Sequence, residues 1–413
     1  MQDTSQLDPP LRTPAQFPCE TPKCKQERFA HTPTYDALET NTSAKVMQFT
    51  QEPIPEVRSN ASVAMFGAET PFRHRTVIQQ YLQSLFERKG YEKLVEYNTT
   101  VEKAQKQGNE WVLTLRRSGA DRDEWWQERF DALVVCSGHY SVPNVPKIPG
   151  LAELERLHPS TVEHAKHYRN RERYRGQKVI VVGSSVSGMD TALDLVNTVQ
   201  TPLISSSIGY VHPFFGDLAL QHPKIERHSE ITHISPEDRI VYFKDGAVVR
   251  GVDRIILGTG YLYSYPFLEH VCLEENRVHG LYLHVVSIDD PTLNFVGAIE
   301  AGLTFKEFEW QAVLVSRLLA GRVQLPPVAE QRRWEAERIK ERGIGARFTA
   351  VFPDYEQYFE TLRTLAGNDG PGRKLPKFDQ GWLQAFEEGH QIRRTSWGAV
   401  IERERLNGAR SHA

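Results

Sequence analysis

Apolar positions recur with two different periods along this chain, and the switches between them mark out its elements. Val77, Ile78, Tyr81, Leu82, Leu85 and Phe86 stand at helical spacing, which predicts an amphipathic helix over 75–89 stopped by Gly90. Residues 93–104 and 111–116 read as strands around a Gly108-Asn109 turn. A further strand is expected from Phe130 to Cys136, running into Ser137-Gly138, and Pro143, Pro146 and Pro149 then mark an extended connector. The next unit is sharper. Lys178 to Val182 is a short apolar run, followed by Gly183-Ser184-Ser185-Val186-Ser187-Gly188 and by Met189, Ala192, Leu193 and Val196 on one helical face. Strand, glycine turn and helix in that order open a dinucleotide-binding βαβ unit. The unit closes on Arg254–Leu257 and Gly258-Thr259-Gly260. Strands are expected again at 281–286 and 293–296, and a largely apolar helix at about 307–320, ended by Gly321. Beyond 328 the pattern is helical and charged, broken by the loop from Gly367 to Gly372. Residues 1–33 are polar and proline-rich with neither period, so they are expected to lack order.

The segment Gly183-x-Ser185-x-x-Gly188 carries specific chemistry. Gly183 permits a tight turn, and Gly188 lets the helix lie close on its strand. The helix amino-terminus, through Ser184, Ser185 and Ser187, offers N–H groups and a positive dipole end to a pyrophosphate. Ser185 stands where a middle glycine is usual, and it is small enough to be accommodated. About 20 residues on, an NAD site usually places a carboxylate for the ribose 2′-hydroxyl. Here that region reads Pro202 to Ile208 and holds Ser205 and Ser206 but no acid. Serines can hydrogen-bond a 2′-phosphate and an acid would repel it, so NADPH is the expected cofactor. Lys224 and Arg227 are candidate phosphate cations.

Taken in order, the segments resemble the flavin-containing monooxygenases of the fungal type. Tyr35-x-x-Leu38-x-Thr40-Asn41, followed by Met47 and Phe49, is similar to that family's Y-x-x-L-x-T-N block. Pro71-Phe72-Arg73-His74 with Val77 and Tyr81-Leu82 is similar to its next block. Ala132 to Tyr140 resembles the strand that returns the chain from the flavin domain. Gly258-Thr259-Gly260-Tyr261, Pro266-Phe267-Leu268 and Gly302 to Ala312 resemble the later passages. Of the family's F-x-G-x-x-x-H-x-x-x-aromatic motif, at His158, Ser160, His164 and Tyr168, the histidine and the aromatic match. The family's opening strand, G-x-G-x-x-G turn, ribose acid and G-G-x-W are absent from this sequence. A βαβ unit takes roughly 30 residues or more, so a comparable truncation is expected.

The resemblance implies an α/β fold with two Rossmann-like domains, the NADPH domain inserted in a discontinuous flavin domain. Residues 34–165 would be the first part of the flavin domain, lacking its first βαβ unit. Residues 166–265 would bind NADPH, and 266–413 would complete the flavin domain and add C-terminal helices. It implies FAD and NADPH as cofactors, and transfer of one oxygen of O2 from a flavin C4a-hydroperoxide to a soft nitrogen or sulfur of a small molecule. Thr40, Asn41, Thr42, Val101, Ser137, Gly138 and Gly260 would contact the cofactors. Asn41 would be the catalytic amide, able both to donate and to accept. Read without the resemblance, Thr40 to Ser43 is ordinary turn chemistry. Two other readings are a flavin-free homologue that only binds NADP or a partner, and a Baeyer–Villiger-type oxygenase.

Composition narrows the rest. A chain of 413 residues, 39% hydrophobic and 25% charged, suits a soluble protein of two or three domains. A net charge of −3 gives no reason to expect nucleic acid or an anionic membrane surface. No apolar run approaches the roughly 18 residues of a membrane span, and the first thirty residues show no secretory signal. Four scattered cysteines do not make a disulfide scaffold, so a reducing cytoplasmic location is expected. Cys19 and Cys24 have the spacing of a redox pair, but Pro18 and Pro22 leave no helix amino-terminus to activate a thiol. His164 and His167 lack a Cys or carboxylate cluster, and no metal is expected.

Overall fold

A computed structural model describes residues 13–24, 32–300 and 302–411. An antiparallel sheet forms first, in the spatial order Cys19–Pro22, Arg122–Phe130, Glu110–Ser118, Thr99–Gln107. Its edge strand corrects the expectation for residues 1–33. Cys19 pairs opposite Trp125, the Trp125 indole donates to Thr21 Oγ1 at 2.9 Å, and Asp123 Oδ2 accepts from the Cys24 N–H at 2.9 Å. A short segment with alternating burial needs no long hydrophobic run once a neighbouring strand supplies the ladder. The rest of 1–33, apart from 13–18, 23–24 and 32–33, lies outside the described residues.

The expected strand from Phe130 to Cys136 divides in two. Phe130 ends the hairpin sheet, while Leu133–Val135 belongs to another, ordered Leu281–Tyr282, Val286–Ser287, Leu293–Phe295, Leu133–Val135. Asp131 and Ala132 make the break. In this second sheet Leu133–Val135 runs parallel to Leu293–Phe295. The Phe305–Leu319 helix lies in the neighbouring core, where fully buried Trp310 and Leu314 meet Phe359 of the Tyr355–Ala366 helix.

The five-stranded sheet is wholly parallel, ordered Ile225–His228, Leu203–Ser206, Val179–Val182, Arg254–Leu257, Val162–His164. Parallel strands must be covered on both faces. The Val186–Leu195 helix covers one with Met189, Ala192 and Leu195, all fully buried. Leu154, Val241 and Phe243 cover the other. Val179–Val182 sits centrally, with later strands on either side of it. That is where an open α/β sheet places its ligand, beyond the carboxyl ends of the strands.

One long helix, Gln380–Ser411, ties these layers together. Trp382 packs edge-on against Trp310, and Phe386 against Phe214. Farther along, Arg393 binds Asp190 at 2.5 Å and Glu404 binds Lys224 at 2.5 Å. The helix therefore crosses from the Trp310 core to the five-stranded sheet. No helix among the described residues is long and apolar enough to cross a membrane.

Candidate functional site

Three glycines in mutual contact build the phosphate turn. A Cβ on Gly188 would lie 2.0 Å from the Gly183 carbonyl oxygen, and one on Gly183 would lie 2.3 Å from that of Gly258. Gly183 also has a φ of +116°, a backbone region that side chains resist. Gly183 N–H donates to the Ser206 carbonyl at 2.8 Å and Gly258 N–H to that of Val182 at 2.7 Å, so backbone bonds pin the turn from both sides. The helix that follows begins at Ser185, whose side chain caps nothing. Its first N–H groups are thus left for a ligand.

A cavity of about 550 Å³ opens beside this turn. Ser184, Ser205, Ser207, Tyr210, Arg227 and Lys244 are among its lining. Ser206 corrects an expectation: its hydroxyl donates to the Ser229 carbonyl at 2.7 Å and the residue is not on the cavity wall. Adjacent strand residues face opposite ways, so of the two serines only Ser205 lines the cavity. Lys224 is likewise placed elsewhere, bound by Asn197 and Glu404. Arg227 reaches the cavity and pairs with Asp217 at 2.5 Å. Lys244, paired with Glu230 at 2.7 Å, was not foreseen, since it comes from a hairpin 17 positions beyond Arg227 and nothing local marks it. Ser187 is exposed on the helix rather than on this wall.

The second half of the site gathers around the start of the Phe305–Leu319 helix. Lys306, almost fully buried, donates to the carbonyls of Lys45, Val46 and Gln48 at 2.8, 3.0 and 2.6 Å. Those carbonyls end the Ala44–Met47 turn, so Lys306 fixes the segment carrying Thr40, Asn41 and Thr42 against the helix. Burial pushes the Lys306 ammonium down to about 8. Thr40 Oγ1 donates to the Thr42 carbonyl at 2.9 Å and Thr42 Oγ1 to Asn41 Oδ1 at 3.2 Å. Asn41 itself is exposed, its amide nitrogen making no bond among the described residues. On the other side, the chain leaving Leu133–Val135 presents Ser137 and Gly138, both exposed, and then His139. His139 Nδ1 donates to the Gly297 carbonyl at 3.2 Å, leaving Nε2 buried without a partner. Thr304 Oγ1 is a second buried orphan, on a residue held at a φ of +49°. Such strain is kept only where the surroundings over-determine it.

Gly260 joins the two halves. His164 Nδ1 accepts from the Lys166 N–H at 3.1 Å, so its Nε2–H is the donor to the Gly260 carbonyl at 2.9 Å. Both ring nitrogens are engaged, and burial pushes this histidine down to about 4. Tyr261 next packs edge-on against Tyr140 at 5.4 Å. Val101 stands apart from this group, packed against the core that includes Val135 and Tyr265. Among the described residues no three or more His, Cys, Asp or Glu side chains gather as a metal site.

These residues suit one half of a flavin. The Thr304 and His139 orphans, the open amide of Asn41 and the start of a 15-residue helix offer polar partners to an isoalloxazine edge. Beside Leu133–Val135, however, no second strand, glycine turn and helix unit stands among the described residues, and Val134 is 36% exposed. The residues present fit the ring and supply no cradle for the flavin's pyrophosphate.

Comparison with known proteins decides the family. The profile of the flavin-binding monooxygenase-like family matches residues 25–212 and 222–371. The chain belongs to that family. It is 28% identical to the flavin-containing monooxygenase ustF2 of Aspergillus flavus, over 93% of this chain and 81% of that one. It is 32% identical to the flavin-containing monooxygenase FMO GS-OX-like 2 of Arabidopsis thaliana, over 79% of this chain and 70% of that one. S-allyl-L-cysteine S-oxygenase from Allium sativum shares the fold, with a TM-score of 0.72 at 24% identity, covering 92% of this chain and 85% of that one. The protein is accordingly a flavin monooxygenase with FAD and NADPH as family cofactors.

Proposed function

We propose that this monooxygenase draws hydride from NADPH and delivers one oxygen atom of O2 to a soft nitrogen or sulfur of a small molecule, in the cytoplasm. Residues 166–265 form its nicotinamide domain, set between flavin-domain parts at 34–165 and 266–413. The cavity beside Gly183 carries the reading. It combines a helix amino-terminus for pyrophosphate with Ser205, Ser207, Arg227 and Lys244, and those two cations, paired here with Asp217 and Glu230 of the same wall, would turn to a 2′-phosphate that NADH lacks. The flavin, when bound, supplies the oxygen activation. The chain's own work is placement. Lys306 holds the Asn41 segment, His164 holds Gly260, and Asn41 offers an amide to the joint between the rings.

Two measurements test this. Arg227→Ala should raise KM for NADPH by roughly tenfold or more, the worth of one charge-assisted phosphate contact, and leave KM for NADH within about twofold. Equal losses for both nucleotides would remove Arg227 from the 2′-phosphate. Asn41→Ala should release a larger share of consumed oxygen as hydrogen peroxide, because an oxidant without its orienting amide decays before it meets substrate. A peroxide-to-product ratio that does not change in that variant removes the role.

A further inference from the structure

Part of the wall of the cavity beside Gly183 is a loop that its own side chains do not anchor. Ile208, Gly209, Tyr210 and Val211 line the cavity, and all four are exposed. The Tyr210 carbonyl accepts from Ser184 Oγ at 2.7 Å, so this loop also holds the phosphate turn. A stretch with no buried side chain opens readily unless its neighbours fix it. The anchor lies just beyond. His212 Nδ1 accepts from the N–H groups of Phe214 and Phe215 at 3.2 and 3.4 Å, and the Gly216 N–H donates to the His212 carbonyl at 2.8 Å. That tight turn presents Phe214 and Phe215 to the Gln380–Ser411 helix.

His390 of the helix receives both rings. It stacks on Phe214 with centroids 4.5 Å apart and planes 11° apart, and meets Phe215 edge-on at 4.9 Å. Arg393, one turn on, lies over the Phe215 and Trp397 rings at 5.4 and 4.9 Å and binds Asp190 at 2.5 Å. Asp190 belongs to the Val186–Leu195 helix, which starts at the phosphate turn. The same stretch of the long helix meets the other half of the site. A Cβ on Gly389 would lie 3.6 Å from the nitrogen of Ser43, two positions after Asn41, and 3.7 Å from the Phe72 ring. His390 Nδ1 is buried without a partner, and burial pushes the ring down to about 4, so at neutral pH it is an uncharged plate. Its contribution is the stacked face.

We propose that His390 is a positioning residue for the nicotinamide cofactor: with Arg393 it fixes Phe214 and Phe215, and through them the cavity wall from Ile208 to Val211 and the Tyr210 carbonyl that holds Ser184. The inference rests on the reading of this cavity as the NADPH site. Without the stack the loop leaves the turn, Ser184 loses its acceptor, and only the fraction of molecules with the wall in place can bind.

NADP+ titrated calorimetrically into the full chain reads this without turnover. His390→Ala should weaken NADP+ binding on the order of tenfold, and His390→Phe, which restores a flat ring, should stay within about twofold of native. Amide hydrogen exchange should quicken at Phe214, Phe215 and Gly216 in the alanine variant and not in the phenylalanine one. Leu362→Ala is the control for stability alone. It opens a cavity in the core around Trp310, lowers the urea midpoint, and should leave NADP+ affinity within about twofold of native. His390 has no positioning role if His390→Phe fails to restore affinity, or if Leu362→Ala loses as much affinity as His390→Ala. A native chain that binds NADP+ and is matched by His390→Ala removes this inference alone. A native chain that binds no NADP+ removes the nucleotide reading of the cavity, and this inference with it.

Discussion

Gly188→Val should unfold the part of this protein built on the five-stranded parallel sheet, at a cost of at least about 3 kcal/mol. The new Cβ would stand 2.0 Å from the Gly183 carbonyl oxygen, a contact with backbone and not with a side chain that can turn away. Gly183 cannot retreat, because its own Cα already faces the Gly258 carbonyl and its N–H is bound to Ser206. The Val186–Leu195 helix would have to lift from the Val179–Val182 strand, exposing Met189, Ala192 and Leu195. Urea unfolding should show a lowered midpoint, and NADP+ titration no measurable binding. Gly209→Ala is the control, at a φ of +86° with nothing within 4 Å of its Cβ. It should cost only the backbone penalty of about 1–2 kcal/mol. If the two variants lost the same stability, close packing would not be the reason for Gly188.

That turn was legible in the sequence because its cause is local. The strand, the two glycines and the helix face follow one another in the chain, and the structure places Gly183, Ser184 and Gly188 as that order requires. The Arg75–Arg88 helix and the Arg254–Leu257 strand were legible for the same reason, their apolar spacing. What escaped was set by partners distant in sequence. Cys19–Pro22 is a strand only because Arg122–Phe130 lies beside it. Ser205 and Ser206 look alike in sequence, and only the pleat sends one to the cavity and the other to Ser229. Lys306 reads as an ordinary amphipathic-helix lysine until the Lys45, Val46 and Gln48 carbonyls converge on it. Spacing finds cradles made by one stretch of chain. It does not find a cleft shared by several.

Raising the pH through neutrality should weaken this protein, and Glu307→Gln should remove that part of the loss. Glu307 is fully buried in the first turn of the Phe305–Leu319 helix, and burial pushes its carboxyl up to about 8. One oxygen accepts from the Leu303 N–H at 3.3 Å, and Oε2 has no partner. In the unfolded chain the same group titrates near 4.5. Below that value both states hold the proton and stability is unaffected. Between about 4.5 and 8 the folded state holds more protons than the unfolded one, so stability falls as pH rises, and the loss is complete above about 8. A shift of this size corresponds to a few kcal/mol. Glutamine keeps the acceptor oxygen and cannot ionise, so the variant's unfolding free energy should vary less over that window and exceed the native value at its alkaline end. Denaturant curves collected at several pH values would show it, and parallel native and variant profiles would assign the alkaline loss to another group. The consequence reaches the site, because Glu307 acts on Tyr140 and Tyr355 and lies next to Lys306, the residue that holds the Asn41 segment. A carboxylate forced to ionise there would draw in water or shift the helix start. The same alkaline window should therefore loosen the hold of Lys306 on the Asn41 segment, and release of hydrogen peroxide should rise with pH in the native protein more steeply than in Glu307→Gln.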